Sequence, residues 1–509
     1  MQVWIRRFAL LLLPLGFLAV MVAAPLLSLA FYDGEGAWAE VVADDYMRLR
    51  LGWTVAQAVL TCVLVTALGV PAAWVLARMD FAGRRMVLRL LMLPFVMPTL
   101  VAGMGVLALF GAHGILASGW QDTPWLLIYG NVFFNLPVLV RSAYQGFVRV
   151  PQARLLSAQS LGADAWRRFV WVEWPVVRAW VTGGACLVFL YCFSGFGLAL
   201  LLGGERFATV EVEIYRLVAY ELDMARASVL VWLVLAATAA AGGLYAYWSK
   251  RVAVDKSVSP LPPRAPIWAW EKWLTATVLT MLAVCCLLPL AAVWLKAAAT
   301  GSSWAVLLEA QTWAAAWNTI RFSAAAVAAA TVLGALYAAA ARQMAWLRAL
   351  MFLPFMVSPV CIAFGVLLLY PQWTASLWLL TATYALLAYP FVAKDVLAAW
   401  DGLPKDYAEA AHTMGANGFQ TACYVTAPLL KPALRRGLTL ASATCIGEFA
   451  ATLFLSRPEW QTLTTLIYDY LGRAGADNYG RAMVLTAVLT ALALTAFLLV
   501  DEAEGQKAV

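Results

Sequence analysis

The chain has 509 residues, 64% of them hydrophobic and only 12% charged, with a mean hydropathy of +0.80. Soluble domains carry about a quarter charged residues, so there is too little charge here to cover a water-facing surface, and lipid must be the solvent for most of the chain. The net charge of +7 does not mark a nucleic-acid binder, because the basic residues form short clusters between apolar runs; eight cysteines without a CxxC pair, beside two histidines, do not make a zinc site.

A spanning helix needs about 20 mainly apolar residues to cross a hydrocarbon core about 30 Å thick. After Arg6 and Arg7 an apolar run continues to about residue 30, longer than the roughly 7–15 residues of a signal-peptide core. It is read as the first span, uncleaved. The first set of spans is expected at 8–31, 53–77, 88–110, 125–147, 179–202 and 227–248. A second set is expected at 273–297, 317–341, 347–370, 374–397, 435–455 and 480–500. The expected fold is thus an all-α polytopic membrane protein of about twelve transmembrane helices. Residues 1–250 form the first six-span half and 273–509 the second, with 251–272, containing "SPLPPRAP", as a polar linker.

The basic residues orient the chain. Arg78, Arg84, Arg85, Arg89, Arg154, Arg167, Arg168 and Arg178 fall on one side of the predicted membrane, as do Lys250, Arg251, Lys256 and Arg264. Arg342, Arg348, Lys405, Lys431, Arg435 and Arg436 continue the series, whereas "GAHGILASGWQDT" (111–123), on the other side, has no Lys or Arg. The positive-inside rule then places both termini in the cytoplasm, with the linker and the basic loops.

The two halves repeat one another. Pro137 pairs with Pro390, an offset of 390 − 137 = 253, and the same offset relates Pro151 to Pro404, Gly162 to Gly415, Ala163 to Ala416, and Pro175 to Pro428. Cys192 with Cys445 and Phe196 with Phe449 continue the register, and "LMLPF" at 91–95 echoes "MFLPF" at 351–355. With an even number of spans per half, the repeats keep the same orientation, so both copies of any loop face the same compartment. The longest such loop joins the fourth and fifth spans, at 151–178 and 404–431. In each, a short helix, a glycine that lets the chain turn, a second helix and a closing proline make a protruding bracket. Small side chains at Ala410, Ala411 and Ala416 allow another protein to pack closely against it.

Glu409-Ala410-Ala411, Gly415, Val425 and Pro428 resemble the Glu-Ala-Ala loop of binding-protein-dependent ABC transporter permeases. The first copy keeps Gly162, Ala163, Val172 and Pro175 but has Leu156-Ser157-Ala158 for Glu-Ala-Ala; this departure concerns the charged contact, not the loop. The resemblance implies that both loops dock into ATPase subunits, two copies in all, through Gly162, Ala163, Pro175, Glu409, Ala410, Ala411, Gly415, Ala416 and Pro428. No GxxxxGK[ST] phosphate loop is present, so ATP and Mg are expected on the partner and no cofactor on this chain. The chain is not expected to be an enzyme.

Fused two-repeat permeases of this kind resemble the iron and thiamine group, and several stretches look like the thiamine or thiamine-pyrophosphate type. They are "NVFFNLPVLVR" (131–141), "FVWVEWPVVR" (169–178), "LLLGGERFATVEVEIYRLVAYELDMARASVL" (200–230) and "CIGEFAATLF" (445–454). A thiamine importer of a bacterial inner membrane is the implied function, with a ferric-iron permease as the alternative. Glu448, inside the expected eleventh span, is expected to face the bundle interior, bonded to a neighbouring helix, or a watery pathway, flanked by Tyr191, Phe193, Phe196 and Phe449 as aromatic walls suited to a flat cation. The outer loops 203–226 and 456–481 are expected to be short amphipathic segments that lie on the outer surface or dip back into the pore, and either receive a periplasmic solute-binding protein or act as a gate. An ion-coupled secondary transporter would need no paired brackets, and a membrane-embedded enzyme would need convergent His, Asp or Glu groups that two histidines and few buried acids do not supply.

Overall fold

The computed structural model describes residues 12–32, 36–116, 119–249, 261–351, 353–374, 376–404 and 406–505. Arg6, Arg7, Lys250, Arg251, Lys256, Lys405 and the linker stretch 251–260 lie outside the described residues. The described residues are mostly helical, and an isolated bridge, Met79 to Arg264, ties the end of the linker to the foot of the second span.

Among the described residues, nine helices are long and apolar enough to cross a bilayer: Leu12–Leu29, Asp45–Arg78, Pro124–Val148, Ala165–Phe193, Met224–Leu244, Ala269–Ala299, Ala310–Gln343, Leu377–Asp401 and Ala476–Leu498. A tenth is a broken pair, Arg84–Val96 and Thr99–Phe110, bent by 103°. About twelve spans are expected, and proline and glycine break the ones that do not run as single long helices. Proline lacks an N–H and pushes its predecessor out of the helical region, so Pro98 breaks the third span, and the ninth survives only as the short helix Pro359–Leu369. The fifth and eleventh break at Ser194-Gly195 and at Gly447–Phe449, where short helices Phe196–Leu202 and Ala450–Leu455 begin afresh.

The compact units divide the chain differently from the sequence repeats. One unit is Gly34–Ala299; the other joins Met1–Asp33 to Thr300–Val509. Each unit therefore takes its first span from the opposite repeat. In the unit 34–299, the 269–299 helix packs on Thr99–Phe110, where a Cβ on Gly105 would lie 2.6 Å from the Pro289 carbonyl oxygen. In the other, the 12–31 region packs on Pro359–Leu369, and Gly365 would meet Pro25 at 3.0 Å. Only glycine permits so close an approach. Both first spans carry a π turn just before the proline, Ala283–Leu287 and Ala19–Ala23, and in each a tyrosine hydroxyl donates to a carbonyl of that turn: Tyr129 to Val284 (3.0 Å) and Tyr370 to Val20 (2.9 Å).

The loop helices are expected either on the outer surface or dipping back inward, and Val210–Arg216 and Leu463–Gly472 are mostly buried within their own units, each started by the same device. Thr54 Oγ1 accepts from Val210 N (3.0 Å), and Thr319 Oγ1 accepts from Leu463 N (2.9 Å), satisfying an orphan donor of the first turn. The exposed positions are in the flanks, including Glu205, Arg206, Tyr220 and Leu222 in one unit and Arg457, Pro458 and Glu459 in the other.

Candidate functional site

The two brackets share one construction. Helix Gln152–Ser160 ends at Gly162 with φ +80°, and helix Asp406–Thr413 ends at Gly415 with φ +88°. In each, the following alanine closes a six-residue turn, Ala163 N to Ala158 O and Ala416 N to Ala411 O, both 3.0 Å. This is a glycine C-cap that a side chain with a Cβ adopts only under strain. Asp164 then caps the next helix through Arg167 N (2.8 Å), and Asn417 caps its equivalent through Gln420 N (2.9 Å). A π turn follows at Phe169–Glu173 and at Ala422–Thr426, just before Pro175 and Pro428. A proline ring collides with the carbonyl four residues earlier. That residue is Trp171 or Tyr424, inside the π turn, where the widened ring relieves the collision.

The brackets expose apolar side chains at matching positions. Leu161 and Met414, one residue before each glycine, are 87% and 89% exposed, and Trp166 with Phe419 and Trp171 with Tyr424 are exposed likewise. The same positions thus carry uncovered large apolar groups in both copies. These six were not singled out from the sequence, although the 253-residue offset relates every pair. Of the expected contacts, Glu409, Ala410, Gly162, Gly415, Pro175 and Pro428 are exposed, Ala163 and Ala416 are half-buried, and Ala411 is buried at the foot of its helix.

Beneath the brackets the units differ. In the first, Glu173 is buried against the span end. It accepts from Arg78 (2.8 Å) and from Trp74 Nε1 (3.1 Å), while Arg78 also donates to the Phe147 carbonyl (3.2 Å). In the second, Thr426 occupies the register position of Glu173, and a cavity of about 210 Å³ lies there, lined by residues that include Arg342, Trp400, Tyr407, Glu409 and Leu429. Arg342 rests on the Trp400 ring, 5.1 Å from its centroid.

The broken fifth and eleventh spans also differ. Glu448 lies between two helices rather than inside one. Its Oε1 accepts from Ala451 N (2.9 Å), and its carbonyl accepts from the hydroxyls of Thr452 (2.9 Å) and Thr464 (3.2 Å); Tyr384 in turn bonds Thr452. The carboxylate thus caps the helix that follows, and the residue as a whole is half-buried. At the equivalent Gly195, any Cβ would sit 2.7 Å from the Tyr191 carbonyl oxygen, so that break admits no side chain. The first unit instead fills its interior with amides: Asn131 Nδ2 donates to Gln57 Oε1 (2.8 Å), Gln57 Nε2 to the Cys192 carbonyl (2.9 Å), and Asn135 Nδ2 to Cys192 Sγ (3.3 Å).

The expected aromatic walls largely disperse. Phe193 stacks on Phe189 (5.6 Å), Phe196 meets Tyr215 edge-on (5.6 Å), and Phe449 tilts against Tyr468 (5.4 Å). All three are buried by helices of their own unit and offer no surface to a solute. Of the five expected pathway residues, Glu448 and Tyr191 retain accessible area.

The pattern of the family "Binding-protein-dependent transport system inner membrane component" matches residues 66–254 and 330–501, one segment per repeat. The thiamine transport system permease protein of Salmonella typhimurium is 27% identical, covering 97% of this chain and 94% of that protein. That of Brucella abortus (strain 2308) is 28% identical over 97% and 95%. A sulfate transport system permease protein of Synechocystis sp. is 27% identical over 39% of this chain and 76% of its own length.

Proposed function

This chain belongs to the family of binding-protein-dependent transport system inner membrane components, the multi-pass permease subunits of ABC importers that work with a binding protein and an ATPase, and from that premise we propose that it imports thiamine or its phosphate esters. Two ATPase copies, which use ATP and Mg, engage the brackets around Gly162 and Gly415 from the cytoplasm, where both termini also lie. The outer flanks receive a solute-loaded periplasmic protein. The observation that carries the coupling role is the duplicated bracket with its three matched pairs of exposed apolar residues. The end-to-end similarity to thiamine permeases supports the solute.

In this mechanism ATP binding draws the ATPase pair together, the brackets follow, and each π turn transmits the movement into the span behind it. The ligand-bound motor favours one state of the permease by binding it more tightly. Glu448 supplies a negative charge suited to a thiazolium cation. Uptake of labelled thiamine and of ferric iron, in cells with and without this chain, tests the solute: thiamine uptake that depends on the chain is expected, and iron uptake alone overturns the assignment. Leu161→Asp with Met414→Asp should abolish co-purification of the ATPase while changing stability by less than about 0.5 kcal/mol, since both positions are exposed. Glu448→Gln keeps an acceptor for Ala451 N but loses the charge; import is expected to fall while the complex stays assembled, and unchanged import removes Glu448 from the pathway.

A further inference from the structure

The 124–148 helix is the most enclosed span of its unit, covered by the 45–78, 99–110 and 174–193 helices. One stripe stays open: Phe134, Val138, Arg141 and Gln145, spaced four, three and four residues apart, so that they share one face. Arg141 is exposed and lies seven residues before the helix ends at Val148. At 1.5 Å per residue this is about 10 Å inside the span.

A guanidinium at that depth is costly in hydrocarbon, and intramembrane cations face water or a partner. Arg141 has no carboxylate within 4.0 Å among the described residues; its hydrogen bond runs from Nη1 to the Met92 sulfur at 3.2 Å. A thioether is a weak acceptor, and guanidinium carries five N–H donors in a planar fork, so most of its bonding capacity is uncommitted. Three residues beyond Met92, the Phe95 ring lies 5.9 Å from Phe134 and 5.9 Å from Tyr191. All three rings are half-buried. The strip therefore pairs an open cation with an aromatic shelf one Phe134-to-Arg141 interval away, about 10 Å along the helix.

We propose that Arg141 is a specificity-determining residue that holds the phosphate of a solute whose flat ring rests on Phe95, Phe134 and Tyr191. The assignment rests on the thiamine reading above and narrows it: the pathway favours the phosphate esters over the free alcohol. Guanidinium and phosphate form bidentate, charge-assisted pairs, which lysine reproduces only in charge. The second repeat keeps a cation, Lys394, at the position 253 residues on.

The test is uptake of thiamine and of thiamine pyrophosphate by the complete complex in proteoliposomes, for the wild type, Arg141→Gln and Arg141→Lys. Arg141→Gln is expected to lower pyrophosphate-ester uptake about tenfold to a hundredfold, as for a lost charge-assisted pair, and to leave thiamine uptake within about twofold; Arg141→Lys should recover part of the ester uptake. Equal losses for both solutes, or no loss for either, overturn the assignment and leave the thiamine reading standing. Import of neither solute by the wild type overturns both. If Arg141 holds a lipid phosphate instead, Arg141→Gln changes both uptakes alike and in step with the anionic-lipid content of the vesicles.

Discussion

The two brackets are nearly identical above and unlike below. Around Gly162 and Gly415 the turn, the cap, the π turn and the exposed apolar triplet all repeat. Beneath them, the first unit has a buried ion pair between Arg78 and Glu173, and the second has a cavity under Glu409. What recurs is the exposed part of the bracket; what differs is the part that fastens it to its own unit. The first bracket is thus held by a buried ion pair, and the second lies over a cavity.

Substitutions can break that contrast, and the largest effect is expected at the ion pair. Glu173→Ala leaves Arg78 buried without its partner, which should cost about 3–5 kcal/mol and lower the melting temperature in detergent. Thr426→Ala, at the equivalent position, should cost little. Equal costs would end the distinction. Replacing both partners together, Arg78→Met with Glu173→Leu, should recover most of the loss, because a well-packed apolar pair often matches a buried ion pair. Next in size are Gly162→Val and Gly415→Val, each forcing a β-branched residue to positive φ at about 1–3 kcal/mol. Here the two brackets should respond alike, and ATP hydrolysis should continue with import reduced, measured together in proteoliposomes. Smallest is Arg342→Ala, which removes a cation–π contact worth about 0.5–1 kcal/mol; a loss comparable to that of Glu173→Ala would mean that the second bracket is also anchored by charge.

Much of this was legible in the sequence because the repeat carried it. The glycines, the closing prolines and the small residues between them share one register, and glycine at a turn and proline at a helix start have direct conformational meaning. The matched exposed residues Leu161 and Met414 share that offset but differ in type, so identity alone did not show them. Four of the expected spans were read as continuous because apolar composition persists through Pro98, Pro359, Gly195 and Gly447, whereas the backbone turns there. The burial of Val210–Arg216, with Glu211 and Glu213 inside, was not visible in a segment with that much charge; Glu213 is satisfied by the Tyr46 hydroxyl, a partner 167 residues away. The dispersal of Phe193, Phe196 and Phe449 has the same cause, since helix breaks turn neighbours in sequence toward different helices.

The exchange of first spans has a consequence for how the protein is made. Domains generally fold as units, beginning with the N-terminal one as synthesis proceeds. Here the opening segment, with Pro25 seated on Gly365, has no resting place until residues 359–369 leave the ribosome, and the unit Gly34–Ala299 closes first. A truncation anywhere between the repeats would strand one helix in the bilayer and deprive the other unit of its cover. Carrying both repeats on one chain thus guarantees that each half reaches the membrane with the segment its neighbour needs.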